Sequence, residues 1–191
     1  KNHENIGVNY GDAICDINIR SVYKKFTNFK KNKINIFMFD TKKNISKLDR
    51  IKKSLIFLKN HENIGVNYGD AICDINIRSV YKKFLKNNLN AIMSIVTMKS
   101  PFGHIMINNN TVKQFIEKPD LPFPTNIGYY FFKSDSLNKY RRSNSELETS
   151  FLNSQIKDEQ LGFYFHKGYF HTVNHKQDLI NIKQIQKKFT K

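Results

Sequence analysis

The stretch VNYGD, residues 66–70, is an apolar run that ends in a carboxylate. It is typical of a buried strand followed by a tight turn, in which Gly69 would let the backbone approach a ligand. In α/β proteins, ligands bind beyond the carboxyl ends of parallel strands. Asp70 is therefore a candidate Mg²⁺ ligand, since Mg²⁺ takes one or two carboxylates together with phosphates and water. The alternative is that Asp70 is a solvated aspartate of the turn and binds no ligand.

The same stretch occurs twice, because residues 1–26 are repeated without one change at 59–84. Solenoid repeats diverge and recur at least three times, so one perfect pair indicates a recent duplication, a rearranged reading frame or an assembly error. Only the second copy runs directly into a long patterned segment. We therefore expect residues 27–191 to form the domain and residues 1–26 to lie outside its native core. The first copy could still pair as an extra strand at the sheet edge beside Asp70.

The composition indicates a packed globule, with 39% hydrophobic and 13% aromatic residues. A net charge of +16 suits an anionic partner, but the lysines are scattered in pairs and form no stripe, which disfavours a nucleic-acid-binding module. No apolar run is long enough for a membrane helix, and none at the start reads as a signal region. The two cysteines are the same position in the two copies. One effective cysteine suits a reducing cytoplasm.

Hydrophobic periodicity predicts strands that alternate with helices and then a meander of shorter strands, which is typical of an α/β domain with a mixed sheet. The predicted strands are 34–40, 64–68, 91–98, 104–107, 112–116, 127–132, 161–165 and 169–173. The predicted helices are 75–87, 134–140, 146–156 and 176–189, the first with Asp74 as its N-cap. Residues 44–58 form a basic connection with some helical or strand character.

Two further motifs contain polar residues beside apolar strands. In FIEKP, residues 115–119, Glu117 could accept hydrogen bonds from sugar hydroxyls and Lys118 could bind a phosphate. In TNIGYY, residues 125–130, Asn126 could bind a hydroxyl or cap the turn.

Three histidines near the end of the chain, His166, His171 and His175, raise the question of a zinc site. The segment is predicted to be strand and turn, with no adjacent cysteine or clear third ligand. Solvated or core-edge histidines are therefore the favoured interpretation.

These pieces occur in a specific order along the chain: Phe39-Asp40-Thr41, Tyr68-Gly69-Asp70, Asp74–Ile77, Phe102-Gly103, Phe115–Pro119, Asn126 with Gly128, Glu148, His166–Phe170 and Asp178. From about Ile34 to Leu179 the sequence resembles the sugar-1-phosphate nucleotidyltransferases, and among them most closely the glucose-1-phosphate cytidylyltransferases. The resemblance implies a Rossmann-like domain that binds an NTP and a sugar 1-phosphate side by side. The implied partners are CTP and glucose 1-phosphate, and the product would serve surface-polysaccharide synthesis. The sequence does not determine the oligomeric state, and a homo-oligomer is one possibility.

The resemblance also implies roles for individual residues. Asp70 and Lys118 would be catalytic, Asp70 as an Mg²⁺ ligand and Lys118 as the cation on the sugar phosphate. Glu117 and Asn126 would bind sugar hydroxyls. The remaining residues of the implied substrate site are Tyr68, Gly69, Gly128 and Glu148.

The sequence departs from the family pattern in three places. A Gly-rich loop (G-G-x-G-T-R) with a downstream Pro-Lys-Pro does not occur in the 191 residues, a second metal-binding aspartate is Asn174, and of a Gly-Gly-Arg only Arg50 remains. Loss of even one preorganised donor to a transferring phosphate costs about 10²–10³ in rate. We therefore expect a truncated Rossmann-like domain with weak or no activity. A non-catalytic remnant that binds a sugar phosphate or a protein partner is the alternative.

Overall fold

The structure is a computed structural model that describes residues 7–10, 45–58, 61–140, 145–175 and 178. Its strands are β1 (Gly7–Tyr10), β2 (Asn63–Tyr68), β3 (Ala71–Cys73), β4 (Ala91–Val96), β5 (His104–Asn108), β6 (Thr111–Ile116), β7 (Thr125–Lys133), β8 (Leu161–Phe165) and β9 (Phe170–Thr172). Its helices are α1 (Lys47–Ser54), α2 (Ile77–Asn87), α3 (Ser134–Lys139) and α4 (Asn153–Lys157). A 3₁₀ turn at Leu55–Leu58 follows α1, and a π-helical segment at Leu147–Leu152 precedes α4.

The main sheet is mixed, as the sequence predicts, with strand order β1-β2-β7-β4-β8. β1 and β2 are parallel, β7 runs antiparallel to both β2 and β4, and β8 is parallel to β4. The carboxyl ends of β2, β4 and β8 therefore lie at the same edge of the sheet as the start of β7. We call this edge the carboxyl edge; Asp70 follows β2 there.

The duplicated sequence pairs with itself in register. Gly7 lies opposite Gly65 and Tyr10 opposite Tyr68, so each residue of β1 faces its identical counterpart in β2. Four residues of the first copy thus occupy the position beside the strand that leads to Asp70. The rest of residues 1–26 lies outside the described ranges, and its exclusion from the native core stays a proposal.

Apolar side chains cover both faces of the sheet, because successive residues of a strand point to opposite sides. On one face, Tyr130 and Phe132 of β7 pack in a cluster with Leu48 of α1 and Phe151 of the π-helical segment. On the other face, Phe131 packs with Val80 and Phe84 of α2 and with Ile92 of β4. The sheet is therefore a middle layer between helices.

Helix α2 begins two residues later than predicted, and its N-cap is Asn76 rather than Asp74. The Asn76 side chain accepts a hydrogen bond from the Ser79 N–H at 3.0 Å. The prediction for Asp74 is wrong because its carboxylate lies 2.9 Å from His166 Nε2 and its N–H donates to the Tyr169 carbonyl. A contact distant in sequence thus replaces the local cap.

Helix α1 is the regular part of the segment that the sequence predicted only as a basic connection. Ser46 caps it by accepting a hydrogen bond from the Asp49 N–H, and Leu48 and Ile51 are fully buried on its inner side. The predicted strand at 34–40 and most of the predicted helix at 176–189 lie outside the described residues.

Strands β5 and β6 form a separate two-stranded hairpin with every side chain exposed. The predicted turn at Asn109 and Asn110 joins them, and Asn109 has the positive φ that such a turn requires. In the part of the chain described, no helix is long and apolar enough to cross a membrane.

Candidate active site

Asp70 lies on the turn that joins β2 to β3 and is half-buried. Its backbone carbonyl accepts a hydrogen bond from the Val173 N–H at 2.8 Å, and the Tyr129 hydroxyl donates to the neighbouring Ala71 carbonyl at 3.2 Å. Two separate contacts therefore fix the turn at the carboxyl edge.

Asn174, the other predicted metal position, lies beside this turn. The pairing of β3 with β9 and the bond from Val173 to Asp70 bring Asn174, the next residue, next to it. The Asn174 amide nitrogen donates to Thr172 Oγ1 at 3.1 Å, so its side-chain oxygen is the atom that could bind a cation. One carboxylate and one amide oxygen fit the hard donors that Mg²⁺ accepts alongside substrate phosphates.

Asp178 supports the backbone at Asn174. Its carboxylate accepts hydrogen bonds from the backbone N–H groups of His175 at 2.8 Å and Asn174 at 2.9 Å. These two donors, first His175 and then Asn174, lower the pKa of Asp178. The ionised carboxylate thus holds the chain that carries the second predicted metal position.

Five side chains form a polar network, here called the Tyr68 cluster: Lys47, Tyr68, Asn126, Tyr130 and Glu148. The Tyr68 hydroxyl donates to Glu148 Oε1 and lies 3.1 Å from the Tyr130 hydroxyl. Lys47 Nζ donates to the same Glu148 oxygen at 2.8 Å, and Asn126 Nδ2 donates to the Tyr130 hydroxyl. The network links α1, the main sheet and the π-helical segment.

The Tyr68 cluster holds one negative and one positive charge. Burial acts to raise the pKa of Glu148, but hydrogen bonds from Lys47 and Tyr68 outweigh it and the pKa is lowered. Burial, followed by the neighbouring Tyr130 and Glu148, raises the pKa of Tyr68, and burial raises that of Tyr130 to about 12. At neutral pH, Glu148 is therefore ionised and both tyrosines keep their protons.

Gly128 makes room for this network. It has a φ of +75°, and a Cβ added there would lie 2.7 Å from the Tyr68 ring. Its N–H donates to Asn126 Oδ1 at 3.0 Å, which sets the orientation of the Asn126 amide. Both predicted residues of this turn thus contact the cluster.

Of the predicted substrate residues, the structure brings together Tyr68, Asn126, Gly128 and Glu148, with Gly69 and Asp70 following directly after Tyr68. Sequence reasoning missed Lys47 and Tyr130. Lys47 is one of many lysines in a basic segment, and Tyr130 reads as one more apolar residue of a strand. No signal in the sequence separated them from their neighbours.

Glu117 and Lys118 contact each other rather than the Tyr68 cluster. They follow β6, both side chains are exposed, and Lys118 Nζ is 3.9 Å from Glu117 Oε1. Within the described ranges no hydrogen bond or ion pair joins either of them to the cluster. The next residue, Pro119, accepts a hydrogen bond from the Ser100 N–H at 2.8 Å, which anchors the segment near the carboxyl end of β4.

The three histidines considered for zinc form no common group of ligands in the part of the chain that the structure describes. His166 is buried and contacts Asp74, whereas His171 Nε2 lies 3.6 Å from Asp178 Oδ1. Cys73 lies close to His166 and Asp74, and burial raises the pKa of its thiol to about 11. The thiol is therefore protonated at neutral pH and is not an activated nucleophile.

A cavity of about 550 Å³ opens at the opposite edge of the sheet. His61, Glu62, Lys133 and Asp135 contribute to its lining, and none of the predicted site residues does. Its position away from Asp70 argues against a part in chemistry at the carboxyl edge.

Residues 6–182 match the nucleotidyl transferase family model. The structure is similar to that of a putative glucose-1-phosphate thymidylyltransferase from Bacillus anthracis, with a TM-score of 0.66, 16% identity and coverage of 94% of this chain and 75% of that one. It is also similar to HddC from Yersinia pseudotuberculosis, with a TM-score of 0.56, 18% identity and coverage of 93% and 76%. No curated protein matches by sequence. The family match spans most of the chain, so the chain belongs to the nucleotidyl transferase family.

Proposed function

We propose that this nucleotidyl transferase domain acts on a sugar 1-phosphate, with glucose 1-phosphate and CTP as the favoured substrates. The observation that carries the proposal is the Tyr68 cluster, which lies directly beside the Asp70 turn. Its carboxylate, amide and hydroxyl groups are the kinds that bind sugar hydroxyls. The Bacillus anthracis protein of similar fold is named for glucose 1-phosphate, which supports the sugar, whereas its thymidylyl group differs from the proposed cytidylyl group.

The proposed reaction is an in-line displacement. An oxygen of the sugar phosphate forms a bond to the α-phosphorus of the NTP, the bond to the β-phosphate oxygen breaks, and pyrophosphate leaves. Such a reaction depends on positioning and on neutralisation of charge rather than on a protein nucleophile. Asp70 and Asn174 would hold Mg²⁺, which supplies charge neutralisation on the phosphates.

The remaining predicted roles are also proposals. Lys118 would neutralise the sugar phosphate, and Glu117 and Asn126 would bind sugar hydroxyls. Glu117 and Lys118 are both exposed at the end of β6, so a substrate could reach them. The nucleotide sugar would serve surface-polysaccharide synthesis in the cytoplasm.

We expect residues 1–191 to turn over slowly or not at all. They contain no Gly-rich phosphate loop, and Asn174 keeps an oxygen donor but lacks the charge of an aspartate. Even substitutions outside the ligand shell weaken metal binding by about 10–100-fold. The second candidate is thus a domain that binds a sugar phosphate without catalysis, which the same Tyr68 cluster would serve.

Two measurements test the proposal: pyrophosphate release with Mg²⁺, glucose 1-phosphate and each of the four NTPs, and calorimetric titration with glucose 1-phosphate alone. The duplication supplies a matched control, because Asp12 has the same sequence surroundings as Asp70. CTP-specific release that Asp70→Ala abolishes and Asp12→Ala preserves would establish the transferase. Binding without release would favour the non-catalytic domain. Neither binding nor release by a folded chain would overturn both.

A further inference from the structure

Three side chains that the proposed reaction does not use meet at the carboxyl edge. The Cys73 sulfur, a carboxylate oxygen of Asp74 and a ring nitrogen of His166 all lie within 4.8 Å of one another. His166 is the innermost, with its side chain only 8% exposed, and its Nε2 lies 2.9 Å from Asp74 Oδ1. A thiol, a carboxylate and an imidazole thus converge at the end of β3.

Backbone contacts hold each of the three residues in place. Cys73 ends β3 opposite Phe170 of β9, Asp74 donates its N–H to the Tyr169 carbonyl at 3.2 Å, and His166 donates its N–H to the Ile95 carbonyl at 2.8 Å. The positions therefore come from several strands. They do not depend on flexible side chains alone.

Gly168 leaves the space that the group needs. A Cβ at this position would overlap Asp74 Oδ1 and lie 2.7 Å from His166 Cε1. Any other residue would push the carboxylate and the imidazole apart. The glycine is thus required by the closeness of these two groups.

We propose that Cys73, Asp74 and His166 bind a divalent transition-metal ion of the Zn²⁺ class. Thiolate, imidazole and carboxylate are the ligands that Zn²⁺ takes, at about 2.3, 2.0 and 2.0 Å, whereas Mg²⁺ does not take sulfur. Tetrahedral bonds of these lengths separate ligand atoms by roughly 3.3–3.5 Å. The site forms by a small contraction around the sulfur and a slight opening of the pair formed by His166 and Asp74. The ion displaces the thiol proton of Cys73 and the proton through which His166 Nε2 contacts Asp74 and the Tyr169 carbonyl, and both protons are released to solvent.

A nucleophilic triad of the same three residue types does not fit the contacts. In a triad the histidine uses one nitrogen for the nucleophile and the other for the carboxylate. Among the described residues no hydrogen bond joins the Cys73 sulfur to His166. The sulfur instead accepts a hydrogen bond from the Ile75 N–H at 3.2 Å, and His166 Nε2 contacts Asp74 and, at 3.1 Å, the Tyr169 carbonyl. The geometry suits a shared cation rather than proton transfer from the thiol.

The ion would act as a clamp. Strands β3 and β9 have three residues each, too few for a stable two-stranded sheet without further packing. A metal bound by Cys73, Asp74 and His166 would tie β3 to the end of β8. Because Cys73 lies three residues after Asp70, the clamp would also steady the turn that carries Asp70.

The test is a titration of the metal-stripped, untagged 191-residue chain with Co²⁺, a spectroscopic substitute for Zn²⁺. We expect a sulfur-to-cobalt charge-transfer band, reversed by added Zn²⁺, and a higher melting temperature with Zn²⁺ than with a chelator. Cys73→Ser should abolish the band and weaken Co²⁺ binding by more than about 100-fold, beyond the effect of changes outside the ligand shell. Cys15→Ser has the same local sequence and should keep both.

Several outcomes would overturn the proposal. One is the absence of a sulfur-to-cobalt band in the unsubstituted chain, which does not depend on how any variant folds. Another is a band that Cys73→Ser keeps, or that Cys15→Ser removes. A third is a band that His166→Gln leaves unchanged in intensity and in affinity. In each case the contact of His166 with Asp74 only stabilises the fold and is not part of a metal site.

Discussion

At the start of β7, Gly128 combines a left-handed backbone with close contact to the Tyr68 ring. We expect Gly128→Ala to lower the free energy of unfolding by about 1–3 kcal/mol, because a non-glycine residue is strained at this φ and the added methyl meets the ring. The change should also displace Tyr68 from Glu148. Chemical denaturation monitored by tyrosine fluorescence measures the loss of stability, and an unchanged midpoint would contradict the expectation.

A second residue-scale prediction concerns the charge on Glu148. Because its pKa in the folded chain is lowered from 4.5, the stabilisation that it supplies is present above that value and is lost as the pH falls through the folded value. The neutral variant Glu148→Gln lacks this contribution. We therefore expect the unsubstituted chain to melt higher than the variant at pH 7, and the gap to close below about pH 4.5.

Thermal melts of both proteins from pH 7 to pH 3.5 make this comparison. Asp178, whose pKa is also lowered, is present in both chains, so its titration cancels in the difference. A gap that stays constant over the whole range would show that Glu148 acts through packing and not through its charge.

The Tyr68 cluster contains residues that the sequence predicts for the site and residues that it does not predict. The resemblance to the family implies one substrate site that contains Tyr68, Asn126, Gly128 and Glu148, and these four residues lie together in the structure. Lys47 and Tyr130 join them through contacts that span 101 and 62 residues of sequence. Local patterns contain no information on such distant partners.

At the scale of elements, periodicity predicts β2, α2, β4, β7 and β8 to within a few residues, since each has at least one face that is buried or partly buried. It failed where tertiary contacts decide the local structure. Asp74 is a residue type that often caps helices, but its carboxylate contacts His166. Asn76 caps α2 instead. The π-helical turn at Leu147–Leu152 was predicted only as part of a helix, because its wider turn leaves no distinct pattern.

The β5–β6 hairpin should be the least protected of these elements. None of its side chains is buried, and isolated two-stranded hairpins are marginal in water. We expect its amides to exchange with solvent at local-opening free energies near zero, and those of β4 and β7 near the global value. Hydrogen exchange followed by mass spectrometry at two protein concentrations measures this. Protection of the hairpin that rises with concentration would indicate instead that a second copy covers it.

At the scale of the whole molecule, the duplication allows one sequence to be tested in two structural settings. Val66 is buried in β2 between two neighbouring strands, whereas its counterpart Val8 lies in β1 at the edge of the described sheet. Proline removes a backbone donor and is tolerated in sheets mainly at edges. We expect Val66→Pro to prevent folding and Val8→Pro to leave the far-ultraviolet circular dichroism unchanged. Equal damage from both would show that β1 is as central as β2.

The larger proposal is that residues 1–26 are not part of the native core, and it predicts the behaviour of a chain that contains only residues 27–191. The removed segment contributes four backbone-paired residues to the described sheet, so we expect the shorter chain to fold with a somewhat lower melting temperature. Removing β1 also exposes an edge of β2. The unpaired backbone groups of such an edge can pair with a strand of another molecule. Light scattering should therefore show more self-association than in the full chain or in a control that lacks only residues 1–5. An unfolded 27–191 chain beside a folded control would show that the first copy has become part of the core.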